Sequence, residues 1–176
     1  MPGIDESQNF KPLKIALLTV SDTRTERTDT SGERLNERLQ GAGHLLADRA
    51  IVTDDANVVR AAVQRWVADD DVDVIICTGG TGLTGRDVTV EAVRPLFSKE
   101  IEGFSVIFHQ VSYKTVGLST LQSRACAGLI GGTPIFCLPG STGAVTDAWD
   151  HIIRFELDSR YRPCNLVEVM PRFMEH

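Results

Sequence analysis

The chain lacks any apolar run near the roughly 20 residues a membrane helix requires, and its polar opening, Met1 to Lys11, contains no signal-peptide core. No cluster of Lys and Arg interrupts a formal net charge of −6, so the sequence carries no electrostatic footprint for nucleic acid. The four cysteines (Cys77, Cys126, Cys137 and Cys164) are widely spaced and never form C-x-x-C, which leaves no zinc or dithiol motif. Two of them end or interrupt apolar runs, where cysteine behaves as a small hydrophobe. Repeats, low-complexity tracts and a linker long enough to split the chain are also missing. These absences lead us to expect a cytoplasmic protein with one domain over residues 13–170, preceded by a flexible lead-in at 1–12, and with no membrane or nucleic-acid partner.

What is present suits a globular enzyme or binding domain. With 176 residues, 42% hydrophobic and 24% charged, such a chain buries about 70% of its unfolded surface. Leu13–Val20, Val72–Ile76 and Pro134–Leu138 read as buried strands, and His44–Thr53 as a less continuous one. Between them, Thr30-Ser-Gly-Glu33 has the capping-box pattern for a helix carrying Leu35 and Leu39. Ala56–Ala68 repeats apolar residues at helical spacing through Val59, Val63 and Trp66, and Gly103–Val116 turns Phe104, Ile107, Phe108 and Val111 inward. Leu118–Ile130 reads as a short helix or loop beside the sheet, and Ala144–Leu157 as a closing helix. His109 and Tyr113, four residues apart, read either as core or interface groups or as a catalytic pair. Strands alternating with helices predict an α/β three-layer sandwich around a mostly parallel sheet, with right-handed crossovers.

One stretch organises the rest. After the strand at Val72–Ile76, four glycines (Gly79, Gly80, Gly82, Gly85) alternate with threonines and lead through Asp87 into a helix. Glycines at such a junction let backbone N–H groups approach an anion. Gly80-Thr-Gly-Leu-Thr-Gly85 satisfies G-x-G-x-x-G, but that dinucleotide fingerprint belongs to a first strand–helix unit, and this strand is the third. The same residues have P-loop spacing but continue with Arg86-Asp87 in place of Lys-Ser/Thr. A carboxylate there repels phosphate unless a metal sits between them.

Ligands of parallel sheets sit where the strands end. On that edge the sequence sets Ser21-Asp22, Asp54, the Thr78–Gly85 loop and the Pro139–Gly143 turn. Asp54 and Asp87 could share a magnesium ion over an anion cradle, which suits nucleotidyl transfer. A plainer reading makes the carboxylate at 54 or 55 a helix N-cap, and Arg86 is either a charge stabiliser or a surface residue.

The string Thr78-Gly-Gly-Thr-Gly-Leu-Thr-Gly-Arg-Asp-Val-Thr-Val-Glu-Ala92 resembles the signature of the MoaB/MogA family of molybdenum-cofactor biosynthesis proteins. Ser21-Asp22, Asp54-Asp55, Ser123-Arg124-Ala125 and Leu138-Pro-Gly-Ser141 match in the same order, so the likeness runs from about Lys14 to Asn165. It implies a molybdopterin-binding fold and, in active members, adenylylation of molybdopterin by Mg²⁺-ATP. Asp54 and Asp87 would be the catalytic, metal-holding pair. Ser21, Asp22, Thr78, Gly79, Gly80, Thr81, Gly82 and Arg86 would line the substrate and nucleotide site, and Ser123, Gly140 and Ser141 would lie near the pterin. A trimeric or hexameric homo-oligomer is implied as well. The pattern departs from the family at Val90, usually proline, and at Thr142-Gly143. Thr120 to Ala125 and Arg162 to Asn165 resemble the MoaB branch, some members of which have lost the acidic residues and do not adenylylate. Two expectations therefore stand: an adenylyltransferase, or a non-catalytic molybdopterin-binding or scaffold protein.

Overall fold

The apolar runs of the sequence form the middle of a six-stranded sheet. The structure, a computed structural model, describes residues 1–175. Its strands are β1 (Gly3–Ile4), β2 (Lys14–Val20), β3 (Leu45–Val52), β4 (Val74–Thr78), β5 (Lys99–Glu100), β6 (Cys126–Ile130), β7 (Thr133–Leu138) and β8 (Tyr161–Arg162). The main sheet runs β3-β2-β4-β7-β6-β5. β3, β2, β4 and β7 are parallel, whereas β6 runs against β7 and β5 against β6. β4 is buried along its whole length, as expected of a parallel strand covered on both faces.

The helices are α1 (Thr30–Gly41), α2 (Ala56–Val67), α3 (Thr89–Val93), α4 (Glu102–Val116), α5 (Thr142–Ala148), α6 (Arg154–Glu156) and α7 (Leu166–Val169). A π-helical turn at Trp149–Ile153 joins α5 to α6. Strand side chains alternate between the two faces. Leu17, Ile76 and Phe136 meet Leu35, Phe108, Val145 and Trp149 of α1, α4, α5 and the π turn on one side. Leu18, Ile75 and Ile135 meet Val59, Trp66 and Val93 of α2 and α3 on the other. The three-layer expectation holds, and no helix among the described residues is long and apolar enough to cross a membrane.

Several local expectations are corrected. Cys126–Ile130, expected as helix or loop, is a strand that pairs antiparallel with β7 across Gly131-Gly132. Its Gly128 lies under the Phe97 ring, 2.5 Å from where a Cβ would stand. α1 is capped by Asp29 and not by Thr30, because the Asp29 carboxylate accepts the Gly32 N–H at 3.0 Å. On α4, Phe104 and Phe108 point inward but Ile107 is 45% exposed. The N-terminal lead-in is fastened to the tail. β1 pairs with β8, the Asp5 N–H donates to the Arg160 carbonyl at 2.9 Å, and the Lys11 N–H donates to Ser159 Oγ at 2.9 Å.

Candidate active site

The loops after β2, β4 and β7 meet at Gly79. Its φ is +99°, a conformation L side chains rarely adopt, and a Cβ there would stand 2.2 Å from the Val20 carbonyl oxygen. The Gly79 N–H donates to the Leu138 carbonyl at 3.0 Å, and a Cβ on Gly140 would come within 3.3 Å of Gly79 Cα. Thr78 is buried and spends its hydroxyl on the Pro139 carbonyl at 3.0 Å, so it ties two loops together. Gly80, at φ +67°, is fastened to α3 by two bonds: the Thr89 N–H donates to its carbonyl at 3.0 Å, and Thr89 Oγ1 donates to the Gly79 carbonyl at 2.8 Å.

The two expected carboxylates stand on either side of this loop. Asp54 Oδ1 lies 3.4 Å from the Cβ position of Gly80, and Asp87 Oδ2 lies 2.8 Å from that of Gly82. Asp54 Oδ2 accepts the Asp22 N–H at 2.8 Å, and the Asp54 N–H donates to Asp22 Oδ1 at 3.0 Å. Arg86 donates to Asp22 Oδ2 through Nε at 3.0 Å and also through Nη2. Asp87 Oδ2 accepts both the N–H and the hydroxyl of Thr84, at 2.8 and 2.6 Å.

The two acids are tuned in opposite directions. Burial, with the like charges of Asp22 and Asp87 behind it, raises the Asp54 pKa above the ordinary carboxylate value against the opposing pull of the Asp22 N–H and Arg86. Burial acts the same way on Asp87, but the bonds from Thr84 outweigh it and leave that pKa lowered. The capping role considered for this segment belongs to the neighbour: Asp55 Oδ1 accepts the Asn57 and Val58 N–H groups at 2.8 and 3.2 Å and opens α2.

Arg124 was matched in the sequence but given no role there. Its Nε donates to the Gly82 carbonyl at 2.8 Å and its Nη2 to the Asp87 carbonyl at 3.2 Å, while the guanidinium also pairs with Glu91. Its own N–H donates to the Thr81 carbonyl at 3.0 Å. The glycine loop is thus gripped from outside by one residue whose function only three-dimensional contact reveals.

A cavity of about 330 Å³ opens over the loop, lined by Gly80, Gly82, Asp87, Ser123, Gly140 and Ser141 among others. It shares Ser119, Ser123, Pro139 and Ser141 with a larger cavity of about 620 Å³ between α1, α4 and α5. Ser123 Oγ is buried without a hydrogen-bond partner among the described residues, an orphan that a bound ligand would satisfy. Ser141 caps α5 by accepting the Ala144 N–H at 3.2 Å. Ser21 Oγ instead organises its own turn, accepting the N–H groups of Thr23 and Arg24 at 3.2 and 3.1 Å. Ser21, Asp22, Asp54 and Arg86 thus form a second cluster on the Gly80 side of the loop and do not line the smaller cavity.

No group of three or more His, Cys, Asp or Glu side chains able to hold a metal occurs among the described residues. Two separated carboxylates over a backbone cradle fit Mg²⁺, which is held by one or two carboxylates together with substrate phosphates.

The family model described as "Probable molybdopterin binding domain" matches residues 16–159. The chain belongs to the MoaB/MogA family. It is 51% identical over 159 residues to molybdenum cofactor biosynthesis protein B of Escherichia coli (strain K12), covering 90% of this chain and 94% of that one. To the protein of the same name from Bacillus cereus it is 46% identical over 153 residues, 86% of this chain and 90% of that one. Among solved structures, a molybdenum cofactor biosynthesis protein B superposes with a TM-score of 0.86 at 40% identity, covering 96% of this chain and 100% of that chain. The tungsten cofactor synthesizing protein MoaB from Pyrococcus furiosus does so at 0.78 and 34%, covering 94% and 99%.

Proposed function

We propose that this chain binds molybdopterin and adenylylates it with Mg²⁺-ATP in molybdenum cofactor biosynthesis. The observation that carries the reading is the glycine loop flanked by Asp54 at Gly80 and Asp87 at Gly82. The family to which the chain belongs supports the pterin, as does the orphaned Ser123 hydroxyl in the adjoining cavity wall.

In the reaction an oxygen of the molybdopterin phosphate attacks the α-phosphorus of ATP. The new P–O bond forms as the bond from that phosphorus to the oxygen bridging to the β-phosphate breaks, and pyrophosphate leaves with the bonding electrons. Mg²⁺, when bound, neutralises charge on the phosphate oxygens. Asp54 and Asp87 would hold it, each with one oxygen already fastened by the protein and so preset in direction. Gly80 and Gly82 let phosphate oxygens reach the backbone, and Arg124 keeps that backbone from yielding. The protein therefore acts mainly by positioning.

The chain also fits a homo-oligomer, trimer or hexamer. Val106, Tyr113 and Val116 of α4 are 57, 57 and 52% exposed, and Leu118 and Leu121 just beyond it are each 70% exposed. Phe104 and Phe108 of the same helix pack in the core. Light scattering at micromolar concentration tests this, and a stable monomer would refute it.

Incubation with molybdopterin and Mg²⁺-ATP tests the main reading, with release of pyrophosphate and formation of adenylylated pterin expected. Molybdopterin binding without pyrophosphate would favour the non-catalytic alternative.

A further inference from the structure

Asp22 was expected to touch substrate or nucleotide, but neither of its carboxylate oxygens is free. Oδ1 accepts the Asp54 N–H, and Oδ2 takes two bonds from Arg86. The Asp22 N–H returns a bond to Asp54 Oδ2 at 2.8 Å. Two residues 32 positions apart thus form a closed hydrogen-bonded ring, just past the ends of the adjacent strands β2 and β3, where Val20 pairs with Val52. The Asp54 oxygen left outside this ring is Oδ1, the one facing Gly80.

We infer that Asp22 is a positioning residue: with Arg86 as its anchor, it locks the Asp54 carboxylate so that Oδ1 points into the phosphate cradle. This rests on the proposed function above. The ring performs three tasks at once. It removes the rotational freedom of the Asp54 side chain, which would otherwise have to be lost each time a cation is bound. It satisfies Oδ2, so that a single oxygen remains for the cation. It also ties the turn after β2 to the glycine loop through Arg86, since Arg86 lies on that loop two residues from the Thr84 that fixes Asp87. Both carboxylates are therefore aimed by partners of their own, Asp54 by Asp22 and Asp87 by Thr84. Side chains that orient metal-holding groups in this way, without touching the metal, are worth about 10–100-fold in affinity or activity.

The test uses Mn²⁺-ATP as the probe, with water-proton relaxation reporting its complex with the full chain, beside turnover with molybdopterin. Asp22→Ala opens the ring. It should weaken Mn²⁺-ATP binding and lower kcat by about tenfold or more, while KM for molybdopterin stays within about threefold. Asp22→Asn keeps the side-chain acceptor for the Asp54 N–H that Asp22→Ala lacks, and should recover affinity to within about threefold of wild type. Wild-type affinity in Asp22→Ala would overturn the inference. So would Asp22→Asn binding as poorly as Asp22→Ala, because restoring an acceptor for the Asp54 N–H would then restore nothing. A lowered melting temperature with unchanged binding would make the ring merely structural and overturn it as well. A wild-type chain that binds no Mn²⁺-ATP overturns the proposed function and the inference together, whereas tight wild-type binding with a silent Asp22→Ala overturns the inference alone.

Discussion

Arg124 and Gly82 are 42 residues apart in sequence, yet the Arg124 Nε donates to the Gly82 carbonyl at 2.8 Å across the back of the glycine loop. The same guanidinium reaches the Asp87 carbonyl and Glu91, so its flat fork serves acceptors in three directions. Lysine cannot copy that fork. Arg124→Lys should keep the charge, lose the grip, and lower both turnover and Mg²⁺-ATP affinity by about tenfold or more. Steady-state kinetics with calorimetry of nucleotide binding checks this, and wild-type values in the lysine variant would leave Arg124 a simple counter-charge to Glu91.

Asp54 and Asp55 are neighbours with separable tasks. Asp55 caps α2, so Asp55→Ala should cost about 1 kcal/mol of stability and leave turnover nearly intact. Asp54 caps nothing, and its pKa is raised by burial and by nearby carboxylates, so its charged form is disfavoured in the folded protein. Asp54→Asn should abolish Mg²⁺-dependent adenylylation without loss of stability at neutral pH, and Asp87→Asn should abolish it too. Thermal melts run beside the adenylylation assay separate the two columns of results.

Gly80 and Gly82 should respond differently to alanine. At Gly80 the positive φ and a Cβ 2.4 Å from Thr89 Oγ1 predict a folding defect together with any loss of binding. At Gly82 φ is ordinary, and the Cβ would press on the Asp87 carboxylate, with Oδ2 at 2.8 Å. Gly82→Ala should therefore stay folded and bind Mg²⁺-ATP at least roughly tenfold more weakly, about 1.4 kcal/mol. Unchanged affinity in a folded Gly82→Ala protein would reduce the loop to a tight turn.

His44 gives the fold an acid sensitivity. It is buried, its Nδ1 accepts the Leu13 N–H at 3.2 Å, and its Nε2 has no partner. Burial pushes its pKa down to about 4, with Asp158 pulling weakly the other way. The unfolded chain, with an ordinary histidine near 6.5, then binds more protons between those values, so stability falls as pH drops through that window, by about 3 kcal/mol in all. Denaturant unfolding at pH 7 and at pH 4.5 should reveal the loss, and His44→Gln, which keeps an acceptor for Leu13, should flatten it.

The sequence displays the glycine loop and its flanking carboxylates more openly than it displays the sheet edge. Glycines between a β-branched run and a helix advertise a cradle through composition alone, and Asp54 and Asp87 stand out as carboxylates beside strand ends. β6 is written in Cys, Ala, Gly, Leu and Ile, with little β-branching, and its Gly128 answers to the Phe97 ring, a neighbour distant in sequence. A signal was present all the same: Gly131-Gly132 between two apolar runs is a hairpin turn, and Gly131 has φ +59°. Thr30-Ser-Gly-Glu33 matches the capping-box pattern locally, yet the cap of α1 is Asp29. Asp29 wins that role through Thr19 and Arg49, whose side chains donate to its Oδ2 at 2.7 and 3.0 Å and hold it in place. Arg124 and the Asp22–Asp54 ring depend wholly on contacts between distant segments, which no local pattern encodes.

The pairing of β1 with β8 also sets an order of events during synthesis. Gly3 leaves the ribosome long before its partner Arg162, which lies 159 residues further along the chain. Gly3 and Ile4 must therefore wait without this pairing until Tyr161 and Arg162 have been translated. The glycine loop waits almost as long, because the Gly79 N–H donates to the Leu138 carbonyl. β4 can form early, but the glycine loop beyond it takes its shape only once Leu138 has been made.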